Sequence, residues 1–518
     1  MYHYSGRLSM EPIVNALFAE KANSLKRPLK HVQRMPVNCV IMETCDTAFQ
    51  NLRAVPAEKC SLPLQMEAGD SVILDFGEHC VGYLHFALNH LRTARIADSP
   101  VMLKFSFGEF PLEIQMDPAA YTGTLGRGWL QNETKSVAFT PYSGMLERRY
   151  AFRYLKIQRV DNACFPIVLT ELYADTVSAV SEEDAVPFST GDTLLDQIYQ
   201  MSLKTLRDCE QDVFEDGPKR DRRLWIGDLR LQAMSDWVSF QNTDLIKRCL
   251  YLFAAYRTPS GLVAPCLFQD SPPYVDGWVF IDYSLFFISC LYDHTMQFHD
   301  LPLLEELYPI AEEQAVKALE FFDENIGELV RENAHIEWCR GLDKGLAAAC
   351  VLIYAMKQLA KLTELLEKDN RWILEKVARL AESVLRSHEK ENGLYKTQNG
   401  QISWSSQIWL VLADILPQSE NIEILEALEQ VQPNYGIHTP YLMHYYMEAL
   451  DSCGMQDKVM ENIRSFWGQL VDFGFNCCPE IFNPNDHFES PYSAAEANSA
   501  CHAWSCTPIY WLHKYFKK

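Results

Sequence analysis

Three carboxylates, three arginines, a lysine and a tryptophan fall within one short stretch, Asp216-Gly-Pro-Lys-Arg-Asp-Arg-Arg-Leu-Trp-Ile-Gly-Asp228. Pro218 and two glycines break any simple helical reading. The charges cannot be buried as plain core, because each would need a partner. An ordinary surface loop, in turn, has no use for Trp225 among them. Carboxylates held near arginines and an indole suit a sugar: the acids move protons and the aromatic face stacks on the ring. The bland alternative is a salt-bridged loop that caps the helix after it.

Further acids and aromatics recur at intervals down the chain. They sit in Asp276-Gly-Trp278-Val-Phe-Ile-Asp282, Glu337-Trp338-Cys-Arg-Gly-Leu-Asp343, Ser403-Trp404-Ser and Tyr435-Gly-Ile-His438-Thr-Pro-Tyr441. Glu480-Ile-Phe-Asn-Pro-Asn-Asp486 and Cys501-His502-Ala-Trp504 continue the series. Taken singly, Trp278, Trp338 and Trp404 could merely cap a core, and His438, His444 and His502 fit hydrogen-bonded structural histidines. No histidine pair has metal spacing such as HExxH, so no metal is expected. No P-loop and no GxGxxG after a strand support nucleotide chemistry, and no GxSxG supports a serine triad. No cofactor is expected.

The elements that must position these residues change character along the chain. Residues 1 to about 65 read as irregular, interrupted by Pro28, Pro36, Pro56 and Pro63, with a short strand at Val37–Met42. From about 70 the period is two: Leu84, Phe86 and Leu88, then Val101, Leu103, Phe105 and Phe107, then Leu155 and Ile157. Short alternating runs separated by Gly, Pro and Asn predict an antiparallel β-sandwich. After about 185 the period becomes helical, with Asp192 as an N-cap before Leu195, Ile198, Tyr199 and Leu206. About a dozen helices follow, including runs at 229–256, 302–325, 456–472 and 498–516. The expected boundaries are 1–185 for the sheet domain and 186–518 for the helical one. A ring of helical hairpins would present the acid- and aromatic-rich loops at one end, the geometry of an (α/α)6 barrel.

The 518 residues suffice for two or three domains. A net charge of −23 argues against nucleic acid or an anionic membrane as a main partner. Many of the sixteen cysteines, such as Cys249, Cys290 and Cys350, lie in apolar stretches without a CxxC pair. That usage suggests a reducing compartment. The start, Met1-Tyr-His-Tyr-Ser-Gly-Arg-Leu, shows no apolar signal core, and no apolar run is expected to span a membrane. A cytoplasmic location is the expectation, and a homodimer is left open.

The 216–228 stretch resembles the signature of the α-L-rhamnosidases of glycoside hydrolase family 78, which runs from Asp through Pro, Arg and a Glu-Arg pair to Trp-x-Gly-Asp. Glu480–Asp486 and Asn498–Pro508 resemble the family's late catalytic-glutamate loop and last barrel helix. Asp75–Tyr83 and Arg148–Ile157 resemble its β-sandwich. The resemblance implies a hydrolase that releases terminal α-L-rhamnose with inversion, and the expected cytoplasmic location favours small rhamnosides over polymers. It implies Asp221 as general acid and Glu480 as general base. Asp216, Arg220, Trp225, Asp228, Trp278, Asp282, Trp338, Trp404 and His502 are then candidates for holding the sugar. The family most often has Glu where this chain has Asp221. An ungapped alignment would instead put Arg222 there, whereas a gap keeps Asp221-Arg222 over Glu-Arg. The alternatives are another (α/α)6 enzyme such as a phosphorylase or lyase, a non-catalytic rhamnoside-binding homologue, and a scaffold.

Overall fold

In the computed structural model, which describes residues 11–57, 61–91, 99–269, 271–330 and 333–517, the alternating runs form strands and the later runs form helices. The start quoted above, Met1–Leu8, lies outside the described residues. Ser71–His90 is a twenty-residue strand and the spine of the sheet region. It pairs antiparallel with Tyr150–Arg159 on one side and Ile167–Ser178 on the other. Val101–Gly108 and Asn132–Val137 extend the first side, and Lys30–Arg34 extends the second. The alternation holds: Val101, Leu103, Phe105 and Phe107 are buried, while between them Met102 is exposed and Lys104 and Ser106 are half-buried. Phe76, Phe107 and Phe152 meet at centroid distances of 4.9–5.1 Å. Each such ring contributes about 1.5–3 kcal/mol by leaving water. Two separate sheets are the sequence expectation. The observed pairings run through one antiparallel network of ten strands, because the long strand changes partners along its length.

The N-terminal segment departs from the expected boundaries. The strand expected at Val37–Met42 is present as Asn38–Thr44, but the residues around it read as irregular contain the helix Ala16–Ser24 and the strands Lys30–Arg34 and Leu52–Pro56. Asn15 caps the helix by accepting from the Phe18 amide at 3.2 Å. Phe18 and Ala22 are buried in the helical region's core, against the helix Thr243–Ala255. Ile13–Val14 pairs with Tyr256–Arg257. The first described residues thus pack on the helical region and not on the sheet. A nine-residue helix has too few turns to show a period and is stable only when packed.

Asp192 caps Thr193–Cys209 as expected, accepting from the Leu195 amide at 3.0 Å. Ile226–Val238, Ile281–Phe298, Gly345–Leu365, Trp404–Ala413 and Pro440–Ser452 each pack on the next. The turn Ala503–Ser505 and the helix Pro508–Phe516 bring the series back to Ile226–Val238. These helices are apolar round most of their circumference, and every residue of Trp404–Ala413 is buried. Leu301–Leu319, Arg371–Ser387 and Gln418–Val431 lie beside them. Arg371–Ser387 buries one stripe (Ile373, Val377, Leu380, Val384), as an outer helix should. Gly345–Leu365 is long and apolar enough to cross a membrane, against the expectation of no such run, but 78% of its apolar window is buried inside the structure.

Three helical runs end differently from their sequence patterns. The 229–256 run is two helices parted at Gln241, whose φ of 59° leaves the helical region. The 456–472 run passes through a π-turn at Ile463–Trp467. Of 498–516, only Pro508–Phe516 is a regular helix. The stretch before it spends its amides on other loops: Ala503 N donates to Asp216 O at 3.0 Å and His502 N to Cys478 O at 2.9 Å. Except for Glu480–Asp486, which runs on through turns to residue 502, each acid- or aromatic-rich loop leads into one of the mutually packed helices, which is what brings the site together.

Candidate active site

The 216–228 stretch enters the site as a short strand and leaves it as a helix. Leu224–Trp225 pairs with Cys266–Leu267, and Trp225 is the N-cap of Ile226–Val238. Two glycines are needed because of what stands beside them. A Cβ on Gly227 would lie 2.5 Å from the Tyr283 ring, and one on Gly217 would lie 2.8 Å from Ser499 Oγ and 3.1 Å from Cys501 O. Gly227→Ala is expected to lower unfolding stability by about 1–3 kcal/mol, the usual cost of overpacking. Denaturant melts check this.

Between the glycines the chain turns sharply. Asp221 and Arg222 have φ of 48° and 54°, and the Arg222 amide donates to Arg220 O at 2.5 Å. Left-handed backbone at two adjacent non-glycine residues costs about 1–3 kcal/mol each and is characteristic of functional turns. The turn sorts the three arginines. Arg222 points away, donating from Nε to Pro218 O at 2.8 Å and from Nη2 to Arg149 O at 2.6 Å. Arg223 stacks over Phe268, 4.1 Å from its centroid. Only Arg220 faces the acids. Its Nη1 lies 3.5 Å from Asp221 Oδ1, and its Nη2 donates to Glu480 Oε2.

Glu480 is the most constrained carboxylate. Oε2 also accepts from the Ser499 amide at 3.4 Å, and Oε1 accepts from the Tyr492 hydroxyl. The Tyr492 ring lies under the Arg220 guanidinium at 4.1 Å. Trp504 Nε1 donates to the Glu480 carbonyl at 3.0 Å and holds its backbone. Burial works against ionisation, but the Arg220 charge and the hydrogen bonds outweigh it and hold the carboxyl below its usual range. Tyr492→Phe removes one hydrogen bond to the ionised form, worth about 1.5–3 kcal/mol. It should raise the Glu480 pKa by roughly one to two. A base must be ionised, so the acidic limb of kcat/KM moves to higher pH by that amount, which a pH–rate profile measures.

Asp216 and Asp228 behave oppositely. Burial, then the charges of Asp221 and Asp228, push the Asp216 carboxyl well above its usual range. Burial and the nearby Glu480 do the same to Asp228. His502 stands between them, with Nε2 3.9 Å from Asp216 and Nδ1 3.6 Å from Asp228. Burial lowers its pKa to about 4, so it is neutral at pH 7. The side chain of Asp221 is 20% exposed, against 7% for Asp216 and 3% for Asp228. It is the one member of the cluster open to exchange protons with an incoming molecule.

The structure thus gathers Asp216, Arg220, Asp221, Asp228, Glu480 and His502. Trp225 packs edge-on against Tyr283 at 6.2 Å beside them. Trp338 reaches the cluster through Tyr492, at 6.2 Å, and His335, at 5.2 Å. Trp278 is 38% exposed, near Phe280. Trp404 packs edge-on against Tyr446 instead of on the acids. Asp282 accepts from the His335 amide at 3.0 Å and the Ile336 amide at 2.8 Å, which makes it the anchor of the 335–338 loop. Tyr492, His335 and Trp504 were not singled out as site residues from sequence. Trp504 does lie in the Cys501–Trp504 stretch and in the family-like segment Asn498–Pro508, and those are its signals in sequence.

Four buried polar atoms here have no protein hydrogen-bond partner among the described residues: Trp225 Nε1, Asp228 Oδ1, His335 Nε2 and His502 Nδ1. Buried groups are rarely left so unless something else binds them.

The chain as a whole is similar to known proteins. Residues 36–176 match the glycosyl hydrolase family 78 alpha-rhamnosidase N-terminal domain, and residues 183–516 match the bacterial alpha-L-rhamnosidase 6 hairpin glycosidase domain. A rhamnosidase from Klebsiella oxytoca, solved with rhamnose bound, is 35% identical with a TM-score of 0.94, covering 98% of this chain and 100% of that one. The family 78 rhamnosidase of Bacillus sp. GL1 is 21% identical with a TM-score of 0.74, over 89% of this chain and 49% of that one. An α-L-rhamnosidase from Streptomyces avermitilis, complexed with L-rhamnose, is 14% identical with a TM-score of 0.67, over 94% and 44%. These two share the fold in chains about twice as long. Among curated protein sequences none matches. Both family domains are present in order, and the chain belongs to glycoside hydrolase family 78, the α-rhamnosidases.

Proposed function

We propose that the protein hydrolyses terminal α-L-rhamnose from small rhamnosides by a single displacement with inversion, with Asp221 as general acid and Glu480 as general base. The observation that carries this reading is the environment of Glu480. Both of its oxygens already accept hydrogen bonds, and Arg220 keeps it ionised. Such a carboxylate is a poor covalent nucleophile and a good holder of a polarised water. Inverting pairs stand about 6.5–9.5 Å apart to leave room for that water, a gap that one guanidinium can bridge, and Arg220 touches both acids.

Asp221 gives its proton to the departing oxygen, and Glu480 takes one from water as the water attacks the anomeric carbon. Asp216 and Asp228, whose carboxyls burial shifts toward the protonated form, bond sugar hydroxyls, and neutral His502 accepts from one. Trp225 Nε1 and His335 Nε2 supply two further polar contacts, which suits a ligand rich in hydroxyls. The Trp338 face covers the sugar's methyl side. We read the helical region as six hairpins, a reading supported by the way Ile226–Val238 and Pro508–Phe516 close the series of packed helices. The small size of the substrate follows from the cytoplasmic location expected for a thiol-rich chain. Proton NMR of the first-formed rhamnose tests the mechanism. The inverted anomer is expected, and the retained anomer overturns it.

A further inference from the structure

Behind the catalytic loops, four donors from distant parts of the chain converge. They are His79 on the strand Ser71–His90, Asp208 near the end of the helix Thr193–Cys209, and the thiols Cys477 and Cys501. One ligand atom from each lies within 4.8 Å of all the others, and all four residues are buried. We propose that these residues form a structural Zn2+ site.

The donor chemistry selects the metal. Two thiolates, an imidazole and a carboxylate make a tetrahedral set of the kind zinc takes. Sulfur ligands disfavour magnesium and calcium, which prefer oxygen. The distances are close to what such a set needs. His79 Nδ1 faces Asp208 Oδ2 at 2.7 Å, and Cys477 Sγ lies 3.9 Å from the same oxygen.

The surroundings are built for a ligand histidine. The far nitrogen, Nε2, bonds Glu109 Oε1 at 2.9 Å. Metal-bound histidines are characteristically oriented by such a carboxylate, which leaves the Nδ1 lone pair for the ion. Glu109 is held in turn, since its Oε2 accepts from the Ala500 amide at 2.6 Å. Lys204 Nζ sits 2.8 Å from Asp208 Oδ2 and offsets the excess negative charge of a site with two thiolates and a carboxylate. Binding would displace the two thiol protons and the proton between His79 and Asp208 into solvent. The ligands are too far apart in sequence to form a spacing motif, and only folding assembles them. Zinc here would tie the sheet region to the first long helix of the helical region. It would also pin two loops, since Cys477 stands three residues before Glu480 and Cys501 directly precedes His502.

The test uses the full-length protein, stripped with a chelator in a phosphine reductant and then titrated with Co2+. One bound equivalent with a thiolate-to-cobalt charge-transfer band is expected, bleached by one equivalent of Zn2+. The double variant Cys477→Ser/Cys501→Ser should lose the band. Cys209→Ser should keep it: the Cys209 thiol lies 3.9 Å from Cys501 Sγ and 3.8 Å from the Asp216 carbonyl, but it is not one of the four converging donors. Wild-type protein that shows no charge-transfer band overturns the site, and this needs no variant to fold. A band unchanged in the double variant, or lost in Cys209→Ser, overturns the ligand assignment.

Discussion

Glu480→Gln is expected to lower kcat on rhamnosides by about 10²–10⁴-fold, the range a positioned base contributes, with KM little changed. The amide keeps the shape of the carboxylate. Its oxygen can still accept from Arg220 or Tyr492, which bond Glu480 in the wild type. What it cannot do is take a proton from water. The loss therefore falls on the chemical step and not on binding, which separate kcat and KM values distinguish. Glu480→Ala is the harsher change. It strands the Arg220 guanidinium, buried at 4% exposure, without its main counter-charge, and breaking a buried pair costs about 3–5 kcal/mol. Turnover by the Gln variant within tenfold of wild type would remove Glu480 from the role of base.

The second large effect is on Asp221. Asp221→Asn should cost about 10²–10⁴-fold on rhamnosyl disaccharides, whose leaving alcohol needs a proton. It should cost far less on an aryl rhamnoside with an acidic phenol, which departs as its anion. Asn tolerates left-handed backbone nearly as well as Asp, so the φ of 48° at this position survives the substitution. The turn stays in place and only the proton is lost. Equal losses on the two leaving groups would sink the acid assignment, and so would normal activity on a disaccharide.

The sequence shows much of the site and little of its wiring. Asp216, Asp228 and Glu480 stand in stretches that the family resemblance marks as a site, where composition alone also allows a salt-bridged loop, and the structure brings them to one place. The direction of Arg222 could not be read, because it depends on the carbonyl of Arg149 in the sheet region. Tyr492 has no telling neighbour in sequence, and His335 stands just outside the Glu337–Asp343 stretch; both gain their roles only by closure of distant loops. Asp282 illustrates the converse. An acid in an aromatic loop reads as a sugar ligand, yet its position in the first turn of Ile281–Phe298 turns it toward the amides of His335 and Ile336. In the fold, a single amphipathic helix read truly, while breaks inside long runs and elements held by distant partners did not. Arg371–Ser387 shows a clean stripe over seventeen residues, whereas Ala16–Ser24 is defined by a partner that the local pattern does not contain.

That partner is far away along the chain, and this bears on synthesis. The Asn15 amide bonds the carbonyl of Ala255, so the segment around Phe18 is translated some 240 residues ahead of the helix that shelters it. At about 5–20 residues per second, the interval is roughly ten to fifty seconds. During that time the whole sheet region can emerge and fold, while an apolar ring waits on the nascent chain with nothing to cover it. A chaperone that binds short apolar segments near the ribosome would find its target there.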